Sequence, residues 1–179
     1  FDMWIDEGCE DIFTSAADCG INLTSDGSVD QGGFSIPSQS LKALKLKQGW
    51  NEIVLPLPDM ESESVTADVT KITTMRFYSL SNKAGKVLRF DNFRLLTEEA
   101  EEPGDEEDKY EFINNCDDLH GWEFDAGNGS LSLDTEEKRQ GSASLKVTLT
   151  NSLFLFRRVD PEYACDFTGK TYLAFDMWI

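Results

Sequence analysis

A nucleophilic hydroxyl or thiol needs a base beside it, and the chain holds a single imidazole, His120, in the stretch DLHGW. No G-x-S-x-G turn accompanies it, no cysteine has an activating context, and no glycine-rich phosphate loop is present. Carboxylates abound, yet with 34 acidic residues some pair is inevitable, so pairing alone does not identify a glycosidase. These residues point to a non-catalytic protein. Cys9, Cys19, Cys116 and Cys165 carry a different chemistry. An even number of cysteines in an acidic, loop-rich chain favours disulfides, and four thiols allow three pairings. The preferred set is Cys9 with Cys19 as a loop staple and Cys116 with Cys165 between loops; four buried thiols are the alternative. Zinc is disfavoured, because no C-x-x-C occurs. Asn22 in NLT and Asn128 in NGS fit the N-glycosylation pattern.

These residues are carried by a chain of 179 with a formal net charge of −18 and 40% hydrophobic residues. That is enough apolar material for a core, and no run approaches the ~18 apolar residues of a membrane span. The negative charge repels nucleic acid. It suits a secreted or cell-surface protein that collects cations, so the expected partners exclude nucleic acid and membrane insertion.

The pentapeptide FDMWI occurs twice, at Phe1–Ile5 and at Phe175–Ile179, with starts 174 residues apart. A repeat at that distance implies units the size of whole domains. The clearest composition shift is TEEAEEPGDEEDK, where Glu98, Glu99, Glu101, Glu102, Asp105, Glu106, Glu107 and Asp108 surround Pro103-Gly104. Such a segment buries too little apolar area to offset its ordering entropy, so 98–109 reads as an acidic linker. The domain then runs from Tyr110 through 179 and continues into what is numbered 6–97, about 160 residues, a single-domain size. On this reading 110–179 is the N-terminal part of a β-sandwich. Residues 1–97 are its C-terminal part, from the preceding repeat or the same permuted unit, and the numbering is circularly offset from the domain.

Short alternating or apolar runs fill both parts: 110–115, 129–135, 142–150, 152–159, 171–179, 20–25, 32–37, 51–58, 72–80 and 86–96. Turn chemistry such as DAGNG, SDGS and NKAGK lies between them. Residues 38–49 allow a helical turn or two. The fold class predicted is all-β, an antiparallel sandwich or jelly roll. Pro56 and Pro58 cannot donate ladder bonds, so 51–58 is expected either at an edge or to end its pairing there.

Three stretches, FINNCDDLHGWEF (112–124), EEKRQGSASLKVTL (136–149) and VLRFDNFRLL (87–96), carry a resemblance. In the permuted order the chain resembles the galactose-binding-like carbohydrate-binding modules and related jelly-roll domains of secreted microbial glycoside hydrolases and surface proteins. The resemblance implies a structural calcium between first and last strands. It falls on Asp91, on Asn114 or Asn115 where family members usually have an acid, on Asp134 or Glu136, and on the backbone of Gly141. The competing reading is that Asp91 sits in a bulge and bonds neighbouring backbone. The resemblance also implies a sugar site of outward aromatics and polar groups. Alternation turns Tyr172, Asp176 and Trp178 away from Phe175 and Met177, and turns Arg76, Tyr78 and Asn22 outward, so these six could line one concave sheet face. The bland reading buries each Trp in core or interface.

Two functions remain: an extracellular tandem-repeat module of structural or adhesive role, building a surface array or fibre with neighbouring copies, or a carbohydrate-binding module that targets a polysaccharide. In a fibre, Trp178, Tyr172 or the loop aromatics Phe13 and Phe34 would pack between repeats; in a binder they would line an open groove.

Overall fold

A computed structural model of the chain describes residues 4–5, 7–27, 33–58, 67–97 and 110–178. The linker 98–109 and the side chains of Trp4 and Trp178 lie outside the described residues. The fold is an antiparallel β-sandwich, as the alternation predicts.

Alternation decides each face. In β5 (Thr74–Ser79), Met75 and Phe77 are buried while Arg76 and Tyr78 are half-exposed; in β2 (Cys19–Thr24), Ile21 and Leu23 are buried opposite Asn22. These two join β3 (Phe34–Ile36), β8 (Trp122–Phe124) and β11 (Leu153–Arg158) in a five-stranded sheet of order β3-β2-β5-β11-β8. The second sheet has seven strands among the described residues. Its path is β4 (Trp50–Pro56), β12 (Tyr172–Trp178), β6 (Val87–Leu96), β10 (Ser144–Leu149) and β9 (Gly129–Asp134). Two further strands, β1 (Trp4–Ile5) and β7 (Tyr110–Asn114), also pair with β6. Strand β4 is at the edge and ends at Pro56, as its prolines require. One short helix, α1 (Ser38–Lys42), covers part of 38–49. No helix among the described residues is long and apolar enough to cross a membrane.

Each sheet takes strands from both sides of 98–109, so neither half has a complete core without the other. The core centre is aromatic. Phe93 and Phe175 stack at 4.5 Å between centroids, Phe77 meets Phe175 edge-on at 5.3 Å, and Trp122 lies 5.0 Å from Phe93. Phe13 and Phe34 are buried in this same core, which corrects the expectation that they pack between repeats.

Strand β6 holds the fold together and also breaks its own alternation. Phe90 and Phe93 both face the core although three residues apart, which a flat strand cannot do. Asn92 takes φ 56 and absorbs the extra residue, and the pairing with β12 shifts register between Ala174 and Asp176. The bulge aims Asp91 and Asn92 at the outer side of the seven-stranded sheet.

Candidate functional site

The six residues expected to share one concave face are divided between the two sheets. Asn22, Arg76 and Tyr78 lie on the outer side of the five-stranded sheet, on β2 and β5. Tyr172, Asp176 and Trp178 belong to β12 in the other sheet. A single site made of all six is therefore not assembled. The pattern of each strand fixes the face of each residue but carries no information on which sheet the strand joins.

The three residues on β2 and β5 do form a continuous strip. Arg76 Nε donates to Asn22 Oδ1 at 3.2 Å, and Asn22 Nδ2 donates to Ser35 Oγ at 2.8 Å. The Arg76 guanidinium sits 4.6 Å from the Tyr78 centroid, and Tyr78 stacks on Phe154 at 6.4 Å and 17°. Phe156, the cross-strand partner of Arg76, extends the strip. Tyr78 Oη donates to Asp18 Oδ2 at 3.2 Å, and burial foremost, with the Asp18 charge, pushes the phenol up. Half-buried rings flanked by an amide and a guanidinium suit a sugar face. Phe154 and Phe156 were not legible as outward, because LFLF is apolar on both faces.

The outer side of the seven-stranded sheet carries a buried polar cluster centred on Asp91 and Asp176, which are cross-strand partners. Asp91 is fully buried. Its Oδ2 accepts the backbone N–H of Arg139 at 2.8 Å and of Gln140 at 3.1 Å, while Oδ1 has no partner among the described residues. Burial, with the nearby Asp176 charge added, overcomes those N–H bonds and raises the Asp91 carboxyl to about 7. Asn92 Nδ2 donates to Asp176 Oδ2 at 2.6 Å, Gln140 Nε2 donates to Asn92 Oδ1 at 2.6 Å, and Arg94 Nη1 lies 3.5 Å from Asp176 Oδ2. Asn92, Arg94 and Gln140 were not singled out from sequence. The signal was present in FDNF, where two aromatics three apart in a strand demand a bulge.

Of the other residues named for calcium, Asn114, Asn115 and Asp134 bond other partners. Asn114 Oδ1 accepts from Cys116 N at 2.7 Å and Trp122 Nε1 at 3.1 Å, and the Asn115 amide bonds Asp117. Asp134 lies between Arg89 Nη2 at 2.8 Å and Lys146 Nζ at 3.4 Å, with Glu136 and Glu137 N–H groups on its other oxygen. Burial opposes its ionisation, but those N–H bonds and Arg89 prevail and hold the carboxyl well below the usual range. Gly141 has φ 64, and a Cβ there would lie 2.3 Å from Asp117 Oδ1, which accepts from Ser142 and Ala143. Among the described residues no group of three His, Cys, Asp or Glu side chains is placed to hold a metal. The bulge reading of Asp91 matches its backbone bonds, and Oδ1, itself buried, is left without a donor among the described residues.

No family model, curated protein or solved structure matches the chain. What the residues do rests on geometry.

Neither expected disulfide forms: Cys9, Cys19, Cys116 and Cys165 are all thiols. Cys9, Cys19 and Cys116 are buried with the core and act as small apolar plugs; the Cys19 Sγ donates weakly to the Ser38 carbonyl at 3.9 Å. Burial pushes the thiols of Cys19 and Cys116 up, so both stay protonated. An even count was compatible with this outcome all along. His120 is exposed, and only its backbone N–H bonds Asp118.

Proposed function

We propose that the chain is a non-catalytic module of a secreted or surface-exposed tandem array, with structural or adhesive role and neighbouring copies of itself as partners. One observation carries this reading: Trp4 and Trp178 are both register partners of Arg89 on β6, and Ile5 takes Leu88, the next position along. The two copies of FDMWI thus address one strand position. A strand running from Phe175 through Ile179 into the equivalent of Asp6 would satisfy β6 without a break. At the other end, Leu96 pairs with Tyr110, so the strands flanking the acidic segment lie side by side. A domain that starts at Tyr110 and ends near Leu96 has its first and last strands paired, and its linker is left to join units.

Limited proteolysis of the parent protein is the test. Cleavage at the acidic segments is expected to give fragments that repeat at one unit's mass. A parent sequence with a single copy of the unit, or fragments with no repeating mass, overturns the reading.

The strip on the five-stranded sheet favours a second reading, a carbohydrate-binding module. Tyr78→Ala is expected to weaken retention on an insoluble polysaccharide about 3- to 10-fold, the worth of one stacked ring. Unchanged retention, or a glycan array without a hit, sets it aside. In either reading a structural calcium would need further oxygens beside Asp91 Oδ1, since the ion takes six to eight.

A further inference from the structure

The core-facing side of β11 is apolar at Leu153 and Leu155 and ends on a cation, Arg157. Its cross-strand partners are Met75 and Trp122, so the guanidinium sits at the rim of the space between the sheets, 5.7 Å from the Trp122 centroid. Arg157 is only 8% exposed. Nη1 donates to the Arg158 carbonyl at 2.9 Å, Nε has no acceptor, and among the described residues no carboxylate pairs with it. Gly121, at φ 72, lets the backbone close on the head group: a Cβ there would lie 1.8 Å from Nη1. A buried guanidinium with no ion pair, and only the more distant Asp118 charge to offset its burial, destabilises a fold, and an unbranched apolar side chain would fill the same space at lower cost. Such violations mark functional sites.

A cleft of about 680 Å³ opens beside Arg157, lined also by Ile113, His120, Asp160, Glu162 and Tyr163. That volume is within the roughly 300–1,000 Å³ of small-molecule sites. Tyr163 ends the 3₁₀ turn Pro161–Tyr163 and is 64% exposed, the most exposed large hydrophobic side chain described.

We propose that this cleft binds a small ligand bearing one carboxylate, with the carboxylate on Arg157 and the ligand's body against Tyr163. Nη2, neither buried nor bonded, is the donor left to give the carboxylate a charge-assisted hydrogen bond. The net charge of −18, with Asp160 and Glu162 on the rim, repels polyanions and restricts the ligand to a single charge. Two sources share this chemistry. A sugar acid would donate hydroxyls to Asp160 and Glu162, and an aromatic acid would pack its ring on Tyr163 and Ile113. The proposal uses neither the array contacts nor the strip on the other sheet face, and it stands without them.

Calorimetric titration with methyl glucuronide, benzoate and the uncharged methyl glucoside tests it, on the parent chain and on Arg157→Met and Tyr163→Ala. At least one carboxylate is expected to bind about 10-fold or more tighter than the glucoside. Arg157→Met is expected to weaken that binding about 10- to 100-fold without lowering the melting temperature, and Tyr163→Ala about 3- to 10-fold. Glucuronide ahead of benzoate assigns the hydroxylated source, and the reverse order the apolar one; both support the site. The proposal is overturned if neither carboxylate binds, if the glucoside binds as tightly, or if Arg157→Met melts lower and leaves binding intact.

Discussion

Phe93→Ala is expected to cost about 3–5 kcal/mol of stability, a large share of the roughly 5–15 kcal/mol available to a domain of this size. Phe93 is fully buried and stacks on Phe175 at 4.5 Å and 10°, with Trp122 at 5.0 Å and Phe90 at 6.4 Å. Truncation therefore removes a ring and leaves a cavity walled by three other rings, which cannot all move inward because each belongs to a different strand or register position. Phe93→Leu keeps most of the volume and should cost about half as much. Urea unfolding measures both. A loss under about 1 kcal/mol for the alanine variant would show that the ring cluster is not the centre of the core. Phe175 belongs to the pentapeptide FDMWI that occurs twice in the sequence.

Much of this core was legible in the sequence, and for a plain reason. Alternation places Ile21, Leu23, Met75, Phe77, Phe175 and Met177 inward whatever else happens, because a strand has only two faces. The edge position of β4 followed from Pro56 and Pro58 in the same way. Strand β8 was missed since three residues are too few to show a period. In LFLFRRV both faces of β11 are apolar up to Phe156, so nothing local indicates that Arg157 faces the core while Arg158 faces out. The candidate sugar face failed as a unit for a further reason. Tyr78 and Asp176 share an outward parity, but sheet membership depends on pairings between residues far apart in the chain, as in Trp178 with Trp50. The cysteines show the limit of counting. Their number permits bonds, and only the positions of Cys9, Cys19 and Cys116 inside the core show them as packing residues.

Asp91→Asn is expected to be more stable than the parent at pH 8 by about 1–3 kcal/mol in the presence of a chelator, and equal to it near pH 4. The sign follows from the raised carboxyl. Unfolded, Asp91 ionises near 3.8; folded, at about 7. Its contribution to stability is complete below the unfolded value, declines as pH rises between the two, and is gone above about 7. Asp134 behaves oppositely: its depressed carboxyl contributes above the unfolded value and is lost only in strong acid, so the two windows do not overlap. The groups that set the Asp91 environment are the Arg139 and Gln140 N–H donors, the Asp176 carboxylate and, beyond it, Arg94. An amide oxygen at position 91 still accepts both N–H bonds, and its NH₂ meets the side facing Asp176, where the parent at pH 8 holds a second negative charge. Calcium divides the outcome cleanly. An ion on Asp91 Oδ1 would neutralise the buried charge, so adding calcium at pH 8 should raise the melting temperature of the parent, leave Asp91→Asn unmoved, and have little effect on either near pH 5. A parent that does not respond to calcium at pH 8 removes the metal from Asp91 but keeps the pH dependence. A variant less stable than the parent at pH 8 in chelator removes both, because it would mean that the ionised carboxylate, and not its proton, stabilises the bulge in β6.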